Sequence, residues 1–179
     1  MGWSFARGAS KADLINELTA TWQQDGVTAR CLASSVRGNV LWSVREIAYA
    51  DGRTERVIAC DLLASQRGYG WGYKGMQESW GPCYYTCPLS YLEMAPEASP
   101  EWRAKVRAHH DLTARRLAVE LAIGETVKLD GVTIPYVTVT GLPKGKGPFA
   151  GLYGGRTYRV PRRYIAVDPE TAIALQTMP

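Results

Sequence analysis

The sequence predicts an α+β protein: a mainly antiparallel sheet with two principal helices and a small, barrel-like C-terminal β unit. Long β-prone runs punctuated by turn residues fill Val27 to Ser65 and return after Gly124. Helix start signals at Ser10 and Ser99 each precede apolar residues at helical spacing. An apolar fraction of 46% with 21% charged residues is ordinary for a folded chain and excludes wholesale disorder.

Met1 to Arg7, carrying Trp3 and Phe5, reads as an edge strand that starts the sheet. Ser10 with Asp13 forms a capping box, and Leu14, Ile15, Leu18 and Trp22 give the helix its apolar face until Gln23-Gln24-Asp25-Gly26 ends it. VTARCLASSV, VLWSVREIAYA and TERVIACDLLA, separated by Arg37-Gly38-Asn39 and Asp51-Gly52, predict a three-stranded antiparallel meander. Asp-Gly between β-prone runs suits a type I′ turn, whose central residues both need positive φ.

Chemistry-bearing residues are densest from Gly68 to Leu92. Seven of the chain's six Trp, ten Tyr and two Phe fall there, with Cys83 and Cys87. Tyr69, Trp71 and Tyr73 alternate with Gly70 and Gly72, so a strand would set three rings on one face and bare backbone on the other. A neighbouring chain segment against the bare side is the expected arrangement, and an aromatic surface for a ligand or partner is the alternative. Gly81-Pro82 reads as a turn, Pro88 as the start of a short helix to Met94, and Pro96 to Pro100 as a linker.

Ser99 then caps a helix expected to run to about Ala122, with Pro100 in its first turn. Trp102, Val106, Leu117 and Leu121 form its apolar stripe, beside a basic face of Arg103, Lys105, Arg107, Arg115 and Arg116. After Gly124 the pattern predicts ETVKL, an Asp130-Gly131 hairpin signal, VTIPYVTVT, a glycine-rich loop from Gly141 to Gly155, and RTYRVPRRYIAV. The chain thus divides into 1–95, a sheet with its N-terminal helix and the aromatic segment, and 96–179, the long helix and the basic β unit. One continuous domain is the other organisation this length allows.

The formal charge of +4 is modest, but its distribution is uneven. No Asp or Glu occurs from Gly131 to Val167, a span holding Lys144, Lys146, Arg156, Arg159, Arg162 and Arg163. With Tyr158 and Tyr164 interleaved, these cations suit a contact to RNA or DNA, or to an acidic protein surface or host nucleoprotein. The loop GLPKGKGPFAGLYGG departs from a Walker loop, because no Ser or Thr follows its lysine and no helix begins there.

A nucleophilic reading uses Cys83 or Cys87, a base from His109 or His110, and Glu78 as orienter. The spacing C-Y-Y-T-C and the adjacent histidines do not fit a zinc knuckle, so no metal and no cofactor is expected. Four cysteines without a secretory pattern predict reduced thiols, and no run approaches the roughly twenty apolar residues of a membrane span. A cytoplasmic protein with no membrane partner is the expectation.

Two segments carry a resemblance: Met1-Gly2-Trp3-Ser4-Phe5, and Tyr73-Lys74-Gly75-Met76 with Glu78-Ser79, Gly81-Pro82-Cys83 and Cys87-Pro88. They resemble an uncharacterised family carried by bacterial mobile elements, phages and conjugative plasmids, best over the N-terminal half. The resemblance implies a context and no catalytic role. Small accessory proteins of such elements often counter host restriction or CRISPR systems by binding. The expected function is therefore a non-catalytic binding protein, an anti-CRISPR or anti-restriction inhibitor engaging a nucleoprotein or nucleic acid. A cysteine enzyme and a structural assembly protein are the competing classes.

Overall fold

The computed structural model describes residues 2–78, 81–82 and 84–167 and has the α+β, mainly antiparallel architecture that the sequence predicts. It forms two compact units, Met1–Ala108 and His109–Pro179.

The first unit is built on a six-stranded sheet, ordered β1 (Ser4–Phe5), β6 (Gly70–Gly75), β5 (Thr54–Gln66), β4 (Val40–Ala48), β3 (Val27–Arg37) and β2 (Trp22–Gln24). The expected edge strand and meander are both present. Helix α1 (Lys11–Thr19) opens with the capping box: Asp13 N–H donates to Ser10 Oγ at 3.2 Å, and Ser10 N–H to the Asp13 carboxylate at 3.0 Å. It stops before Trp22, which the helical spacing had counted on its face. Asp25 and Gly26 adopt φ of 49° and 75°, so these two residues close a tight hairpin and draw Trp22–Gln24 into the sheet as a strand.

At Asp51-Gly52 the turn differs from the type I′ expected. Only Gly52 has positive φ, and Gly52 N–H bonds Tyr49 O while Tyr49 N–H bonds Arg53 O, a three-residue loop ending in a glycine bulge. Asp51 accepts from the Arg53 backbone and guanidinium, which holds its carboxyl below the usual range.

Because neighbouring residues of a strand face opposite ways, β4 splits its apolar run between two layers. Leu41 packs with Leu63 under Leu14, Ile15 and Leu18 of α1. Trp42 and Val44 face the other way, with Ile58 and Cys60, against Tyr91 and Leu92 of α2 (Leu89–Met94) and Trp102 and Val106 of α3 (Pro100–Ala118). The boundary between units therefore falls inside α3 rather than in the Pro96–Pro100 stretch, since the helix's first turns belong to this core. Gly81-Pro82 is not a turn but strand β8, paired with β7 (Gln77–Glu78).

On the Leu41 side of the sheet, buried Asp61 meets half-buried Arg45, whose Nη2 lies 3.2 Å from its carboxylate and whose Nε donates to the buried Ser43 Oγ. Burial pushes the Asp61 carboxyl above its ordinary value, and the Arg45 charge opposes this only in part. A folded pKa above the unfolded one makes the stabilising contribution full below about pH 4 and progressively lost as pH rises through the folded value. The stability of the native protein relative to Asp61→Asn is thus expected to fall between pH 4 and 7. Urea titrations of both proteins across that range check this; a constant or rising difference would refute it.

The second unit is a four-stranded antiparallel sheet ordered β12 (Arg156–Val160), β11 (Phe149–Tyr153), β10 (Tyr136–Gly141) and β9 (Thr126–Lys128). Strand β11 was hidden in what the sequence reads as one long glycine-rich loop. Its Phe149 is fully buried, and a Cβ on Gly151 would come within 2.6 Å of Val137, so only glycine lets the strand lie over that valine. The Asp130-Gly131 signal lies in a longer connection, in which Leu129 N–H bonds Pro135 O and Asp130 N–H bonds Tyr164 O.

After β12 a 3-10 turn, η1 (Arg162–Tyr164), returns the chain to the far edge. Leu129 bridges Ile165, and Ala166 N–H donates to Lys128 O at 3.0 Å, which gives the unit its barrel-like closure. Val127, Val137, Val139, Phe149, Val160 and Ile165 fill the interior. Helix α3 ends at Ala118, short of the expected Ala122, and Val119 and Leu121 pack on this core from irregular chain.

Candidate nucleic-acid interface

The aromatic stripe separates into parts. Trp71 and Tyr73 pack beside the Leu14, Leu41 and Leu63 cluster, while Tyr69 sits outside the strand and is exposed. The bare side of β6 is taken by the chain itself: a Cβ on Gly72 would collide with Ser4 O and the Phe5 ring, so glycine is what admits β1. Lys11 lies 5.2 Å from the centroid of the Trp71 ring and binds Gly38 O, so this surface is internally engaged.

Among the nucleophile candidates, Cys83 lies outside the described residues and Glu78 lies in β7. Cys87 is fully buried beside Trp42, Cys60 and Tyr91, and burial pushes its thiol up to about 12. Such a thiol is protonated at neutral pH, the reverse of an activated nucleophile. Cys87 belongs to the first unit, whereas His109 and His110 open the second; burial, with help from His110 and Arg116, lowers the His109 pKa. Among the described residues, no three His, Cys, Asp or Glu side chains gather as a metal-ligand set. No described helix is long and apolar enough to cross a membrane.

The basic run is the informative part. Strand β12 alternates, so Tyr158 and Val160 turn to the core while Thr157 and Arg159 turn outward. Arg156, at the start of the strand, is exposed. Lys144 and Lys146 are exposed in the connection between β10 and β11, at the end of the sheet where Ala150 pairs Arg159. Arg163 is exposed, stacks on Tyr164 at 4.8 Å and donates to its hydroxyl.

Arg162 is different. Its Nη1 donates to Leu117 O at 3.1 Å and to Val119 O at 2.8 Å, tying the end of α3 to η1, so it is a structural strap rather than an open cation. Arg116 makes a similar tie to Ile165 O and lies 3.6 Å from Asp130.

The sequence reading missed the outward face of the same sheet. Thr157, Leu152, Thr138 and Thr126 stand in one cross-strand row, Tyr136 pairs Lys128 beyond it, and Arg159 pairs Ala150 on the other side. The period-two pattern of T-V-K and Y-V-T-V-T carried the signal, since the valines Val127, Val137 and Val139 mark the inward parity. Of Lys128, Lys144, Lys146, Arg156, Arg159 and Arg163, none forms an ion pair with a described carboxylate. Residues 109–167 hold nine Lys and Arg against four Asp and Glu.

Compared with protein-family models, curated proteins and solved structures, the chain gives no match.

Proposed function

We propose that this is a non-catalytic binding protein whose C-terminal β unit engages nucleic acid or the nucleic-acid component of a host nucleoprotein. One observation carries the reading: the acid-free span 131–167 supplies three of the four strands of the second unit, and its exposed Lys144, Lys146, Arg156, Arg159 and Arg163 have no described carboxylate paired with them. Unneutralised cations on one unit create a local positive field that attracts a polyanion and releases its counterions on contact. The burial of Cys87 supports a binding role over a thiol enzyme. The mobile-element resemblance extends the proposal to counter-defence, with the cytoplasm as the place where such a partner is met.

Fluorescence anisotropy with labelled RNA and DNA, single- and double-stranded, tests the interface over a salt series. Binding is expected at low salt, with log K falling by about 0.7–0.9 for each phosphate contact per decade of salt. Replacing Lys144, Lys146, Arg156, Arg159 and Arg163 by glutamine is expected to weaken binding at least tenfold and to flatten that slope. Unchanged binding after the five substitutions would refute the site. The counter-defence part predicts that a plasmid establishes itself more efficiently in a restriction- or CRISPR-proficient host producing the protein; equal efficiency would refute that part alone.

A further inference from the structure

We infer that the outward face of the β9–β12 sheet takes single-stranded nucleic acid, with Tyr136 stacking on a base and Lys128 and Arg159 meeting phosphates at opposite ends. This rests on the reading of the C-terminal unit as a nucleic-acid interface and adds the ligand class and the residues that select it.

The face is defined by strand register. Arg159 and Lys128 stand on the two outermost strands, β12 and β9, so three strand spacings, about 14 Å, separate them across the sheet. Along the strands they are offset as well, since the Thr157, Leu152, Thr138, Thr126 row runs between them. The line joining the two cations is therefore a diagonal of about 20 Å over low, small side chains. Thr126 and Thr157 are exposed, and Leu152 is 39% exposed, so the middle of the face offers hydroxyls and apolar contact with no charge.

Tyr136 supplies the recognition element. Tyr136 is 48% exposed and pairs Lys128, and its ring stands perpendicular, with 5.3 Å between centroids, to that of Tyr153, whose side chain also packs on the interior cluster. The neighbour fixes the ring without covering it, which lowers the ordering cost of a stacked base.

Charge argues for a nucleic-acid strand over an apolar partner. Lys128 and Arg159 are the charged residues of this outward face, and both are cations. The acids closest to Lys128 in sequence have partners of their own: Glu125 accepts from Ala122 N–H, and Asp130 lies 3.6 Å from Arg116.

The shape argues for a single strand over a duplex. The outer face of this sheet carries no helix or ribbon of its own to enter a groove, and a paired duplex has its bases stacked on one another and closed to Tyr136. An unpaired strand offers the base faces that an exposed ring can hold, with backbone phosphates within reach of flanking cations.

The test is competition anisotropy on the full chain, using oligo-uridine, oligo-thymidine and a mixed-sequence duplex, each about a dozen units long to cover one site. A single strand is expected to bind at least tenfold more tightly than the duplex. Tyr136→Ala and Tyr136→Leu are both expected to weaken single-strand binding about tenfold, and Tyr136→Phe to retain it, because stacking needs the ring and not the hydroxyl. Lys128→Gln should reduce the salt slope by about 0.7. The leucine variant keeps bulk at the site, so a folding defect in the alanine variant, seen by thermal melting, leaves the test standing.

Equal binding of duplex and single strand, or full binding by Tyr136→Leu, would overturn the inference while leaving polyanion binding by the unit intact. No binding to any of the three would overturn both. Preference between the uridine and thymidine strands decides whether the ligand is RNA or DNA, and either supports the inference.

Discussion

Replacing Trp42 with alanine is expected to cost about 3–5 kcal/mol and to leave the first unit marginal or unfolded at room temperature. Trp42 is fully buried on β4, its ring centroid 6.4 Å from that of Trp102, and it touches a cluster that also contains Val44, Ile58, Cys60 and Leu92. Sheet and helices both press on it. The surrounding side chains come from β4, β5, α2 and α3, so no single element can collapse into the space that an alanine would leave. Both a transfer term and a cavity term are then lost.

The hydrogen bond is not part of this cost. Among the described residues neither Trp42 Nε1 nor Trp102 Nε1 has a hydrogen-bond acceptor, so Trp42→Phe removes volume and none of the described polar contacts. Its cost should be well under that of the alanine variant. Urea unfolding followed by far-UV circular dichroism measures both; an alanine cost below about 1 kcal/mol would mean that this core is not close-packed.

That core was legible in the sequence in outline and not in detail. Leu41 and Trp42 are adjacent and apolar, which alternation alone would read as one residue in and one out. The structure buries both, because α1 covers one face of β4 and α2 with α3 covers the other. Single-strand periodicity cannot report a second covering layer. Local rules succeeded where the cause is local. The Ser10 and Asp13 pair caps α1 as its spacing requires, and Gly70 and Gly72 foretold a close backbone approach, which Ala6 to Ala9 make at Gly70 and β1 makes at Gly72.

They failed where a distant element decided the outcome. Trp22 has helical spacing from Leu18, yet a strand partner in β3 and the Asp25-Gly26 turn claim it. Strand β11 looked like loop because its glycine content reflects contact with Val137, not flexibility. The candidate site shows the same division. Residue type and the missing acids located the basic unit, but only register distinguishes Arg159, which faces outward, from Tyr158, which packs on the core.

Arg162 makes the strongest test of that distinction, because the sequence groups it with Arg159 and Arg163 while its contacts set it apart. Arg162→Ala is expected to destabilise the second unit by about 2–4 kcal/mol, since hydrogen bonds from a charged donor contribute about 1.5–3 kcal/mol each and two are lost. Both acceptors lie where α3 ends, at Leu117 and Val119, and carbonyls at a helix end have no partner within the helix. A guanidinium there also meets the negative end of the helix dipole. Arg162→Lys should recover only part of the loss, because an ammonium is a point charge without the planar fork. Arg159→Ala, on an exposed face, should stay within about 0.5 kcal/mol of the native stability. Nucleic-acid binding should divide the other way: below its melting temperature the Arg162 variant keeps the salt slope, whereas Arg159→Ala reduces it by about 0.7. Paired unfolding and anisotropy measurements on the two variants decide this. A stable Arg162→Ala protein with weakened binding would return Arg162 to the contact surface, and would mean that Arg116 and the packing of Val119 and Leu121 suffice to hold the C-terminal end of α3.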